Sequence, residues 1–329
     1  MRIALPPELD AALLAGADPR STITHLAGET MGTTWHVQYA NRAGQPATAP
    51  ARVRALVEQR LGEIVAQMSH WEPQSQLSHF NRAPAEAWQT LPRDFAHVMA
   101  QGLAIAQASA GAFDPTIGRL VDLWGFGPAG PRPHPTSAEL AAARAESGWQ
   151  RLAFDAPARA LRQPGGLALD LSGIAKGHAV DAVADCLGEI GLRHALVEIG
   201  GELVGRGMRP DCDPWWVEME VPDGMTCAPL RIALHGLAIA TSGNYRRGLH
   251  SIDPRTGTPV RNGITAVSVI DSTALAADAW ATALTVLGVE AGFALATERR
   301  IAARFLLQEH GRTQERLTPA LAAMLETAC

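Results

Sequence analysis

The sequence predicts an α+β fold, with mixed or antiparallel sheets and packed helices set out as two intimate lobes. Three observations predict it. Segments with helical apolar spacing are interleaved with short strand-like runs, without the regular βαβ period of a doubly wound sheet. From Ala195 to Val269 Gly and Pro turns divide the chain into short strands. And 329 residues, 47% of them hydrophobic, can bury a large core.

In chain order, residues 1–27 lack periodicity and are predicted to be an irregular N-terminal extension, followed by one domain over residues 28–329. Thr34 to Ala40 alternates as a strand does. Val53, Leu56, Val57, Leu61, Ile64, Val65 and Met68 then form one helical stripe that stops near Ser69-His70-Trp71. Pro92 suits the first turn of a second helix carrying Phe95, Val98, Met99, Leu103 and Ala106, and Gly111 suits its C-terminal end. Thr136 with Glu139 reads as a capping box for an Ala-rich helix. Strand-like runs follow near Arg151–Phe154 and Leu167–Leu171, then a helix from Ile174 to Ile190 with Lys176 in its first turn. Strands are expected over Trp215–Val221, Arg231–Leu234, Ala238–Thr241 and Thr265–Ile270. A helix over Ala274–Leu287, a strand over Ile301–Leu307 and a helix opening at Thr318-Pro319 complete the chain.

Composition and failed motifs narrow the function. With 28 Lys+Arg against 33 Asp+Glu, net −5, there is no basic face for nucleic acid. Cys186, Cys212, Cys227 and Cys329 lie far apart and form no C-x-x-C, so they read as reduced structural thiols. The N-terminus carries no sustained apolar run and no lipid-accepting cysteine, and no run is long enough to span a bilayer. The chain as given is therefore expected to be cytoplasmic and not membrane-spanning, or periplasmic if a signal was removed. Gly125 to Gly130 matches G-x-G-x-x-G, but a Pro interrupts it and Gly-Pro-rich loop follows where a phosphate-binding helix would start, so it is no dinucleotide site.

Three segments could carry chemistry. Asp170 through Gly177 passes from a strand end through Gly173 into a helix start, where free N–H groups and the helix dipole favour a phosphate. Lys176 there is the only lysine in the chain, a compact charge where every other basic side chain apart from histidine is Arg. It is either a phosphate ligand or a solvated first-turn residue. Asp278 and Thr282, four apart on one helix, offer hard oxygens to Mg²⁺ or form a polar helix edge. His250, after Thr241 through Arg246 and before the turn Asp253 through Gly257, is either structural or a base for a hydroxyl.

Taken in order, Thr30-Met31-Gly32-Thr33, Met68-Ser69 through Phe80-Asn81, Gly111 through Thr116, Asp170 through Gly177, Gly200-Gly201, Ala240 through Gly243, His250 through Gly257 and Ala277-Asp278 through Thr282 resemble the ApbE family of flavin transferases over roughly residues 28–290. The resemblance implies an ApbE-like fold and an enzyme, an FAD:protein FMN transferase. It implies FAD as substrate, lined by Met31, Trp71, Ala112, Phe113, Asp114, Asp170, Lys176 and Ile252. It also implies Mg²⁺ held by Asp278, Thr282 and the carbonyl of Gly173. Trp71 stands where many members have Tyr, keeping an aromatic platform but losing a phenol.

The reaction so implied is attack by a Ser or Thr hydroxyl of an acceptor protein on the FMN phosphorus of FAD, releasing AMP. His250 is the candidate base, and Asp278 could share that role. The acceptors the family suggests are redox-pump subunits and flavin-carrying reductases. Two rivals differ in kind: an FAD pyrophosphatase using water, and a flavin-binding protein without chemistry, which has no need of Asp278, Thr282 and His250 together.

Overall fold

A computed structural model describes residues 1–8, 11–41, 48–245, 248, 250–309 and 312–326. Arg246 and Cys329, both named above, lie outside the described residues. The frame is an eight-stranded sheet in which every neighbouring pair is antiparallel. From edge to edge it runs Arg312–Leu317, Ala302–Glu309, Ile264–Asp271, Leu237–Gly243, Glu202–Arg206, Ala195–Ile199, Thr33–Asn41 and Thr22–Thr30. Three smaller sheets accompany it: Arg2–Ala4 with Leu230–Leu234 and Trp215–Glu218, Trp88–Thr90 with Ala160–Arg162 and Ala153–Asp155, and the hairpin of Ile252–Asp253 with Thr258–Pro259. Sheets and helices together make the α+β architecture the sequence predicts.

The helices Ala175–Glu189 and Ala274–Leu287 lie side by side on this sheet. The first packs on Ala195–Ile199 and Glu202–Arg206, the second on Leu237–Gly243 and Ile264–Asp271. Outside them the helix Pro50–Met68 buries Val53, Val57, Leu61, Ile64 and Met68, the predicted stripe without its two flanking members. Each such side chain contributes about 1.5–3 kcal/mol when removed from water. Arg93–Ala108 adds Phe95, Val98, Met99 and Ile105 to the same core. Pro92 is the N-cap of this helix and not a first-turn residue, and Gly111 follows its C-cap Ser109 by two residues.

Several predicted elements differ from those observed. The expected irregular extension over residues 1–27 contains regular elements among its described residues. Arg2–Ala4 pairs in parallel with Leu230–Leu234, and Thr22–Thr30 forms a hairpin with Thr33–Asn41 that crosses the expected boundary at residue 28. Thr22–Thr30 is an edge strand with no fully buried residue, so it lacks the apolar alternation that would announce it. Leu167–Leu171 is buried and extended but belongs to no strand. It makes only an isolated parallel bridge, Ala168 with Ile117, where Gly118 N donates to Ala168 O and Asp170 N to Pro115 O, both at 2.9 Å, and the Asn81 side chain accepts from Leu169 N (2.7 Å) and donates to Leu169 O (3.0 Å). The helix Val289–Glu298 and the strand Arg312–Leu317 were not anticipated: the first buries only Gly292 and Ala296, the second is polar and at the sheet edge. The capping box at Thr136 and the helix Ala274–Leu287 appear as the sequence predicts.

Candidate functional site

The candidate site forms where the N-terminal turns of Ala175–Glu189 and Ala274–Leu287 meet. Asp181, buried on the first helix, accepts from Ala274 N and Leu275 N of the second, both at 2.9 Å. Asp278 on the second returns the bond, its Oδ2 accepting from Gly177 N at 3.0 Å. Each helix start is thus capped by a carboxylate of the other, which satisfies orphan N–H groups and favours the positive end of each dipole. This clasp needs a close approach. A Cβ on Gly177 would lie 2.6 Å from the Ala274 carbonyl carbon and 2.8 Å from Leu275 Cα. Only glycine fits between the two backbones.

The same approach brings Gly173 against Thr282, so that a Cβ at position 173 would sit 2.9 Å from Thr282 Oγ1. The three predicted metal-ligating residues therefore converge: Gly173 meets Thr282, and Asp278, 5% exposed, lies one turn before Thr282 on the same helix. Lys176 is half-buried and not a freely solvated first-turn residue. Its Nζ forms an ion pair with Glu202 Oε1 at the start of strand Glu202–Arg206. Glu202, 2% exposed, follows the Gly200-Gly201 turn, and its Oε2 is buried without a hydrogen-bond partner. Burial pushes the Glu202 carboxyl up, against the attraction of Lys176, and Asp278 pushes it further in the same direction. Asp278 is likewise raised by burial, with Lys176 and the Gly177 N–H opposing. Two desolvated acids thus share the one lysine.

The remaining predicted residues surround this cluster in different ways. Met31, with φ +49°, and Gly32, φ +70°, turn the hairpin between Thr30 and Thr33 in the manner of a type I′ turn. Trp71 is 59% exposed and packs against His70, ring centroids 5.4 Å apart, so its face is available to a flat ligand. Asp170 Oδ1 accepts from Ser172 N at 2.7 Å and from Ser172 Oγ, shaping the loop that leads to Lys176, while Oδ2 lies 3.9 Å from His70 Nε2.

Ala112, Phe113 and Ile252 have buried side chains in three separate apolar clusters, so only their backbones can meet a ligand. Asp114 uses Oδ1 on Thr116 N (2.8 Å) and Thr116 Oγ1 (2.7 Å), and Oδ2 on Trp149 N (3.1 Å). Burial raises its carboxyl against these bonds. Asp114 also lines a cavity of about 400 Å³ with Ser147, Gly148, Arg144, Pro254 and Arg255.

His250 Nδ1 is 2.9 Å from Gly248 O. A carbonyl only accepts, so Nδ1 carries the hydrogen and Nε2 of the neutral ring keeps its lone pair. Among the described residues no hydrogen bond joins His250 to Asp278 or Glu202. Nor does any group of three or more His, Cys, Asp or Glu side chains there form a metal cage. Sequence reasoning missed Glu202 and Asp181. The Gly200-Gly201 turn before Glu202 is part of the family resemblance, but a single acid after two glycines has no spacing that marks it.

The ApbE family model matches residues 31–305. The chain is 38% identical over 300 residues to an FAD:protein FMN transferase of Vibrio cholerae, covering 88% of this chain and 89% of that one. It is 32% identical over 339 residues to an FAD:protein FMN transferase of Haemophilus influenzae, covering 96% of each. The structure of the Pseudomonas stutzeri flavinyl transferase ApbE in its apo form superposes with a TM-score of 0.86 at 37% identity, over 93% of this chain and 97% of the other.

Proposed function

The chain belongs to the ApbE family and is an FAD:protein FMN transferase, and from that premise we propose how its site performs the transfer. A Ser or Thr hydroxyl of the acceptor protein attacks the FMN phosphorus of FAD. The O–P bond to the acceptor forms, the pyrophosphate P–O bond breaks, AMP departs, and the hydroxyl proton passes to a base. The observation that carries this reading is the convergence of Asp278, Thr282, Gly173, Lys176 and Glu202 at one helix-start junction.

Mg²⁺ is the ion this reading requires. The donors suit it: a carboxylate, a hydroxyl and a carbonyl are hard oxygens, and the buried Oε2 of Glu202 has no hydrogen-bond partner. Asp278, Thr282 and the Gly173 carbonyl would hold the ion, which supplies charge neutralisation at the pyrophosphate when bound. Lys176 contributes a second positive charge from the first turn of its helix. Trp71 offers the platform for the isoalloxazine ring. Met31, Asp170 and the backbones of Ala112, Phe113 and Ile252 line the substrate, with Asp114 fixing the turn that presents them. His250, with Nε2 unprotonated, takes the hydroxyl proton. The acceptor is a flavin-carrying redox protein, of the kind found as redox-pump subunits or reductases.

The test is direct. The protein is incubated with FAD, MgCl₂ and an acceptor domain bearing a Ser/Thr site, the acceptor is weighed by intact mass spectrometry, and AMP is assayed. A gain of one FMN with AMP released, both abolished by EDTA and by Asp278→Ala, supports the reading. Free FMN beside an unmodified acceptor means that water is the nucleophile, and full transfer by Asp278→Ala removes Asp278 from the mechanism.

A further inference from the structure

Lys176 is the only lysine of the chain, and it is already engaged inside the protein by Glu202. Glu202 is almost fully buried and reaches Lys176 from the opposite side of the junction, across the strand-start that follows Gly200-Gly201. Gly201 N is held by Glu198 Oε1 at 2.7 Å, which fixes the turn that presents Glu202. The carboxylate is therefore positioned by the sheet and not by a mobile loop. One ammonium faces two buried carboxyl groups, Glu202 and Asp278, so among the described residues the junction has one more acid than base. A pyrophosphate entering alone would meet a lysine whose charge is already shared. A pyrophosphate entering with a divalent cation brings the missing positive charge and releases the lysine toward its oxygens.

We propose that Glu202 is a positioning residue that competes with the substrate's pyrophosphate for Lys176, and so makes FAD binding depend on the divalent cation. This rests on the reading that Lys176 faces the pyrophosphate. Glu202 acts through Lys176 and touches no reacting atom.

The experiment measures FAD affinity by quenching of flavin fluorescence, in EDTA and in saturating MgCl₂, for the full chain and for Glu202→Gln, Lys176→Met and the double variant. Glu202→Gln keeps the shape and removes the charge. It is expected to tighten FAD binding in EDTA by about tenfold, the worth of one charge-assisted hydrogen bond, and to shrink the gain that Mg²⁺ brings. Lys176→Met should weaken binding and erase the Glu202→Gln gain in the double variant. Thermal unfolding is followed alongside. If Glu202→Gln does not fold, Glu202→Asp, which keeps the charge but withdraws it from Nζ, should show part of the same gain.

The outcomes separate cleanly. If Lys176→Met binds FAD as the parent does, Lys176 does not face the pyrophosphate and the underlying reading falls. If Lys176→Met weakens binding but a folded Glu202→Gln leaves the Mg²⁺ dependence unchanged, the competition is refuted and the reading stands. If the gain persists in the double variant, Glu202 acts by its field alone and not through Lys176, which also overturns the proposal.

Discussion

Replacing Gly177 with Ala sets two effects of opposite sign against each other. Inside a helix, Gly→Ala stabilises by about 0.8–1 kcal/mol from propensity alone. Position 177 lies within Ala175–Glu189, so sequence reasoning predicts a more stable protein. The structure predicts the reverse. The added Cβ would stand 2.6 Å from the Ala274 carbonyl carbon and 2.8 Å from Leu275 Cα, whereas carbon atoms pack at about 3.5–4.0 Å. The two helices must separate by about 1 Å. Overpacking of this kind costs about 1–3 kcal/mol, and the separation also stretches the bond from Gly177 N to Asp278 Oδ2, a hydrogen bond to a charged group contributing about 1.5–3 kcal/mol. The net expectation is a loss of about 2–4 kcal/mol. Urea unfolding followed by tryptophan fluorescence measures it, and flavin quenching shows whether the binding loop is displaced as well. A Gly177→Ala protein as stable as the parent, or more so, would refute the account of the junction as two backbones in contact.

Other expectations follow from the same geometry. Asp181→Ala leaves Ala274 N and Leu275 N without their acceptor and should cost about 2–4 kcal/mol in urea unfolding, with Asp181→Asn falling between it and the parent. Asp94 is held well below the usual carboxylate range by His178 and by the paired guanidinium of Arg60, both of whose bonds are 2.7 Å. An acid with a depressed value contributes stability above its unfolded value, near pH 4, and loses it as pH falls through the folded value. Asp94→Asn should therefore cost about 1–2 kcal/mol at pH 7, after allowance for solvent screening, and flatten the acid limb of the stability curve measured between pH 7 and pH 3. Trp71→Ala should weaken FAD binding by about fivefold, with Trp71→Phe close to the parent, since about 1 kcal/mol of aromatic stacking is at stake; equal binding by all three would place the flavin elsewhere. His250→Ala should lower the single-turnover transfer rate by about a hundredfold or more while FAD affinity stays; loss of both in proportion would make it a binding residue.

How far the sequence discloses this protein depends on whether a feature is periodic or singular. Ala274–Leu287 is legible because Thr273 caps it, with Oγ1 3.2 Å from Ala276 N, and its apolar residues recur at helical spacing. The stripe of Pro50–Met68 is legible from its helical spacing alone, since Ala49 offers no side-chain cap. Thr22–Thr30 and Arg312–Leu317 are not, because an edge strand pairs on one side only and need not be apolar. Leu167–Leu171 reads as a strand because it is a short apolar run, and only the fold shows that its pairing stops at one parallel bridge with Ile117 while the side chain of Asn81, 88 positions earlier, holds Leu169. At the site, Asp278 and Thr282 share a helix face and announce each other. Glu202 is 26 residues from Lys176, on a different element, and such a pair exists only once the chain is folded. The resemblance to a family names the residues expected to line the ligand, while Asp181 and Glu202, which hold the helix-start junction together, come from geometry alone.

The exchange of carboxylates between the two helix starts also bears on the order in which the protein is made. Gly177 and Asp278 are 101 residues apart, and Asp181 reaches Ala274 across 93. A chain leaving the ribosome N-terminal end first displays the Lys176 loop long before Asp278 exists. Until the second helix emerges, the N-terminus of the first has no carboxylate cap, and the oxygen donors of Asp278 and Thr282 have not yet been synthesised. Contacts of such long sequence separation form late. On the proposed mechanism a nascent chain is thus unable to split FAD until more than four-fifths of it has been translated, and truncation before residue 274 removes the proposed site and does not merely weaken it.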